Sequence, residues 1–206
     1  MQTETVVLRN SWKMRDFITL AIFNVVMILI FTIGFMFTSI LLTPAGSYIA
    51  GTGLIALVNG PIYMVMSNKI DRRGILFFTS LITGVYFIAF GYAYFLLTLA
   101  IVGVLGELAM WGTHTYRNPV RNAIGYSIYN VGFSFCGVMP ILFFKEQYEA
   151  TLSQSMSPEQ VAQNLYYYGT PSMVILMSAF SLVGAVVGCA LGNRLLHKHV
   201  KKAKLV

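Results

Sequence analysis

Glu107 is the only carboxylate inside a long apolar run, about one turn from that run's C-terminal end. An acid held in hydrocarbon is a functional candidate by default, as a proton relay or a coupling group, because its charge is costly there. It can equally serve structure, by pairing with Arg117, Arg121 or a neighbouring basic loop, or by accepting from the first turn of the fifth span. The remaining chemistry is sparse. His114, His197 and His199 fall in polar segments, two of them in a basic tail, and no second carboxylate lies in an apolar run. There is no Gly-x-Ser-x-Gly, no His-Glu-x-x-His and no Gly-x-x-x-x-Gly-Lys. Nucleophilic, zinc-hydrolytic and nucleotide-binding chemistry each need such a constellation, so neither an enzyme nor a resident cofactor or metal is expected.

What the apolar runs carry instead is neutral. Asn130, Phe133 and Met139 share one run, and Tyr92, Tyr94 and Tyr148 flank others. A mid-span amide is expensive to leave unpaired, so Asn130 either bonds another helix or points at a ligand. Each tyrosine alone fits an interfacial belt. Together these six side chains could wall a pocket that grips a flat organic solute by stacking. Lys145 beside them could meet a solute carboxylate or stand in solvent. Gly184, Gly188 and Gly192 recur every four residues, one helical stripe that lets another backbone come close, within this chain or from a partner subunit. Cys136 and Cys189 lie in runs expected at different depths, so no disulfide is predicted.

The elements that must hold these groups follow from charge. Of 14 Lys and Arg residues, all but Lys145 fall into four clusters: Arg9, Lys13 and Arg15; Lys69, Arg72 and Arg73; Arg117 and Arg121; and Arg194, Lys198, Lys201, Lys202 and Lys204. The chain between them is oily, with 57% hydrophobic and 10% charged residues and a mean hydropathy of +0.71. A membrane-crossing helix takes about 20 apolar residues, and basic loops stay on the cytoplasmic side. The pattern predicts an all-α integral membrane protein: one domain over 1–206, six transmembrane helices, and both termini cytoplasmic (1–15 and a basic tail, 192–206). The expected spans are 16–42, 47–66, 75–90, 92–110, 123–144 and 171–191. Asn59-Gly60-Pro61 predicts a kink, and 145–169 a long outer loop in which Ser157-Pro158 starts a short amphipathic helix. The first run is too long for a signal peptide's apolar core, so no cleavage is expected. A net charge of +7 suits anionic lipid at span ends rather than nucleic acid.

This layout resembles the substrate-binding S components of energy-coupling factor (ECF) transporters and, more narrowly, the Trep_Strep group of such proteins. The likeness is carried by Lys13-Met14-Arg15-Asp16-Phe17-Ile18, by Gly103–Leu108 with its acid, by Phe143-Phe144-Lys145-Glu146-Gln147-Tyr148, and by the tail Gly192–His199. The resemblance implies an ECF S-component-like bundle in a bacterial plasma membrane. Such a subunit captures a small organic micronutrient (a vitamin, a precursor, a pterin-like compound or a tetrapyrrole) at the outer face. It then docks on a T subunit driven by two ABC ATPases. The family docks through an Ala-x-x-x-Ala pattern on helix one; the matching positions here are Ala21 and Val25, so the pattern is broken. Two other readings stay open. A membrane scaffold or assembly protein would show no saturable solute binding, and a small secondary carrier would work without ATPases.

Overall fold

In the computed structural model, residues 11–112 and 114–200 are described, with side chains to 198. Arg9, the side chain of His199 and the tail lysines Lys201, Lys202 and Lys204 lie outside the described residues. Helix α1 (Met14–Leu41) runs uninterrupted for 28 residues. Its start is fixed by Asp16, whose carboxylate accepts the Lys13 N–H at 3.0 Å. Residues 43–46, left between the first two expected spans, are the start of α2 (Pro44–Ile70): Thr43 accepts the Gly46 N–H, and Pro44 sits where a missing N–H costs nothing. Pro61 lies inside α2, which continues helical past it and ends a turn later than expected, where Asp71 takes a left-handed conformation. Helices α3 (Ile75–Ile88) and α4 (Ala93–Ala109) follow within a residue or two of their expected bounds.

The fifth apolar run is not one helix. α5 (Pro119–Ser134) begins at Pro119 with Asn118 as its cap, then gives way at 135–137 to the short α6 (Val138–Phe143). Two residues account for the break. Pro140 has no N–H for the carbonyl four residues back. Gly137 meets the Tyr168 ring so closely that a Cβ there would lie 2.5 Å from it. The expected outer loop folds as two helices, α7 (Lys145–Leu152) and α8 (Pro158–Gly169). α8 starts where predicted, with Ser157 and Gln160 in a reciprocal capping box. α9 (Pro171–Leu195) closes the bundle and passes into a π-helical turn, Leu196–Val200.

Among the described residues, three helices are long and apolar enough to cross a membrane: Met14–Leu41, Pro44–Ile70 and Pro171–Lys198. Ile75–Ile88 and Ala93–Ala109 are shorter apolar helices. This is an all-helical integral membrane architecture. The long helices form a ring in the order α1, α2, α9, α5, α4, α3. Neighbours in sequence run antiparallel, whereas α2 and α9 run parallel and in the closest contact of the bundle. That contact uses the predicted stripe: a Cβ on Gly184 would fall 2.0 Å from the Gly53 carbonyl oxygen, and one on Gly192 would fall 2.7 Å from Pro61 Cα. Gly188 likewise meets the carbonyls of Ala56 and Leu57. The stripe is consumed by packing within the chain.

Candidate functional site

The ring holds a small cavity of about 30 Å3 between α1, α2, α3 and α5, lined by asparagine, threonine and aromatic side chains, by Met27, Ile28 and Ile55, and by no charged group. Three amides converge on it from three helices. Asn24 donates to the Leu20 carbonyl at 2.9 Å, which ties it to its own turn. Asn130 does the same with the Tyr126 carbonyl at 2.8 Å. Asn59 reaches across to the Met27 carbonyl at 3.1 Å, while its Oδ1 is buried without a partner. A buried, unpaired amide oxygen costs about 1–3 kcal/mol, and a cavity of this size takes about one or two waters. Hydroxyls complete the lining: Tyr129 with Thr83 at 2.9 Å and Tyr86 with Thr32 at 2.8 Å.

Aromatic rings close the cavity toward the end that carries α7 and α8. Phe31, Phe87 and Phe133, from α1, α3 and α5, stand mutually edge-on or tilted at 5.4–5.6 Å. Phe87 also touches Phe95 at 5.1 Å and Tyr92 at 6.4 Å. Above them lies a second, smaller core in which Tyr148, Leu152 and Val161 of α7 and α8 pack against Tyr92 and Tyr94. Tyr94 stacks on Phe144 at 5.3 Å and meets Tyr148 edge-on at 6.5 Å. Tyr148 donates to Asn164 Oδ1 at 3.2 Å. Burial pushes its hydroxyl pKa well above the ordinary tyrosine value, so it stays a neutral donor.

The six candidate wall residues therefore occupy three places. Asn130 and Phe133 line the cavity. Tyr92, Tyr94 and Tyr148 come together in the cap. Met139 lies on a separate groove along the outside of the bundle. Asn24 and Asn59 were missed as cavity residues, although each carries the signal that singled out Asn130, an amide deep in an apolar run.

Among the described residues, Asp16, Asp71, Glu107 and the basic side chains other than Lys145 gather at the opposite end, whereas Lys145, Glu146, Glu149 and Glu159 lie on α7 and α8. Glu107 accepts the backbone N–H groups of Gly74 at 2.8 Å and Leu76 at 2.9 Å, and the Tyr116 hydroxyl. It caps α3, the helix that precedes its own, and not the first turn of the fifth run as expected, which Asn118 caps instead. Burial, reinforced by the Glu107 charge, raises the Tyr116 pKa far above its ordinary value. Neither candidate arginine reaches Glu107. Arg117 pairs with Asp71 at 2.9 Å, where His114 Nδ1 also sits at 2.7 Å. Arg121 donates to the Ala109 carbonyl at 2.8 Å. Ala21 and Val25 are exposed on α1. Both cysteines are buried and free, and among the described residues no three His, Cys, Asp or Glu side chains gather as a metal set.

No curated protein and no solved structure matches the chain. One family model does, over residues 14–202: "Hypothetical bacterial integral membrane protein (Trep_Strep)". With nearly its whole length matched, from the first turn of α1 into the basic tail, the chain belongs to this Trep_Strep family of bacterial integral membrane proteins.

Proposed function

We propose that this protein is the solute-capturing S component of an ECF-type importer, with six crossings and both termini cytoplasmic. The observation that carries the reading is the uncharged cavity, with three amides on its wall, inside an apolar ring of helices. Building three amides and several hydroxyls into hydrocarbon is costly, and fold alone gives no return for an unpartnered Asn59 oxygen. A solute with an N–H or O–H edge would. The antiparallel alternation along the chain, with Lys69, Arg72, Arg73, Arg117 and Arg121 at one end, supports the topology through the positive-inside rule.

In this reading the solute enters at the capped end, past Tyr92, Tyr94 and Tyr148, and settles against Asn130 and Phe133. The rings of Phe31, Phe87 and Phe133 must part to admit it, since a cavity of about 30 Å3 is too small for an organic solute. An uncharged lining favours a small organic solute gripped by stacking. Energy comes from the docked T subunit and its two ATPases, and α1 offers the docking face. Only 17% of its most apolar window is buried inside the bundle, against 50% for α2.

Native mass spectrometry of the protein purified from its host in mild detergent tests this directly. The expected result is a bound organic solute together with a T subunit and ATPases, the solute being lost in Asn59→Leu and Asn130→Leu variants that still fold. Recovery with a soluble enzyme or structural partner and no ATPases would replace the transport reading with a scaffold. Uptake into vesicles lacking the ATPases would replace it with a secondary carrier.

A further inference from the structure

A groove of about 680 Å3 runs along the outside of the bundle, floored by α5 and walled by α4 and α9. Its lining is aliphatic and aromatic except for Thr98 and Ser127, whose hydroxyls are buried without partners. It extends from Val120 at the charged end to Phe135 and Met139 beyond the far end of α5. Fifteen residue steps of helix from Val120 to Phe135 rise about 22 Å, more than the roughly 15 Å that one leaflet of a ~30 Å hydrocarbon core offers an acyl chain. A polymethylene chain, packing about 4 Å from its neighbours, can lie along it.

The charged end of the groove is not left open. Ala109 lies one turn beyond Leu105 on the groove-facing stripe of α4. The Arg121 side chain crosses from α5 to that residue's carbonyl, 2.8 Å away. The exposed guanidinium thus bridges the two helices at the mouth, with only part of its five-donor fork used. Planar, delocalised and weakly hydrated, it suits a phosphate at the membrane surface.

We propose that this groove is a binding site for one anionic phospholipid, with an acyl chain along α5 and its phosphate on Arg121. The hydrocarbon fills the apolar slot, and the charge selects the headgroup. The site is independent of the transport reading, since it lies across the ring from α1 and outside the central cavity.

The test is native mass spectrometry of the full chain in mild detergent, loaded with phosphatidylglycerol or with phosphatidylcholine of the same acyl chains. The wild type should retain one phosphatidylglycerol, with about fivefold preference over phosphatidylcholine for one arginine at the surface. Arg121→Gln should abolish the preference while one lipid is still retained. Ile124→Trp on α5 and Ile101→Trp on α4 should each reduce retention of both lipids; these side chains are 47% and 54% exposed, so the variants should fold. Equal retention of the two lipids by the wild type would overturn the headgroup assignment. Unchanged retention in both tryptophan variants would overturn the groove. A dimer mass lost in those variants would hand the groove to a second copy of the chain.

Discussion

Glu107 uses both carboxylate oxygens to hold the first turn of α3. One takes the Gly74 N–H and the other the Leu76 N–H and the Tyr116 hydroxyl. A carboxylate at a helix N-terminus satisfies orphan donors and complements the dipole at once. Glu107→Gln would point an N–H2 group at one of these donors, so it should lower stability by about 2 kcal/mol. Tyr116→Phe removes one donor and leaves the carboxylate paired with backbone, at a cost of about 1 kcal/mol. Thermal unfolding in detergent measures both. A Glu107→Gln protein that melts like the wild type yet fails in solute uptake would return Glu107 to a coupling role. The sequence marks Glu107 as unusual but cannot choose its partner, because the donors sit on the helix before its own and depend on how α3 and α4 pair. For Asn130 a lone amide in an apolar run is legible, as it is for Asn24 and Asn59. That all three face one cavity depends on helix rotations, which near-uniform hydrophobicity leaves unmarked.

At the scale of elements, the contact between α2 and α9 sets the tightest tolerance in the fold. Gly184 lies so near the Gly53 carbonyl that a methyl cannot enter unless the backbones separate. Gly184→Val should therefore cost at least about 1–3 kcal/mol, the usual range for overpacking. Gly169→Ala is the control, since its methyl would meet nothing within 4 Å and Ala suits a helix end. Equal unfolding temperatures for the two variants in the same detergent would mean that the helices part freely. The glycine stripe and the Ser157 cap were legible because each is a local pattern with one mechanical meaning. The break at 135–137 was not. Pro140 hints at it, but the close approach of Tyr168 to Gly137 is a contact between distant segments. α7 was missed for a related reason: its start at Lys145 has no side-chain cap, and its place is set by Tyr148 and Leu152 packing beneath it.

For the whole molecule, the ring order puts α1 and α5 on opposite sides of the central cavity. Hydropathy predicts the helices but not which ones meet, so this opposition became visible only in three dimensions. It separates two lipid-facing surfaces that sequence alone would treat alike. The α1 face carries Val25 at 56% exposure and Ile22 at 58%. The α5 face is recessed and suits lipid. If the T subunit docks on α1, Ala21→Trp with Val25→Trp should abolish recovery of T subunit and ATPases. Binding of the solute should survive, because neither residue touches the cavity, and stability should change by no more than about 0.5 kcal/mol at such exposed positions. Ile124→Trp, across the ring, should leave the complex intact. Affinity recovery of the tagged protein, read by the yield of the ATPases, distinguishes the faces. If the α1 variant recovers them fully and Ile124→Trp does not, the docking surface is the recessed one. The slot along α5 would then lie beneath a protein partner, and the phospholipid would have to be shared with it or displaced.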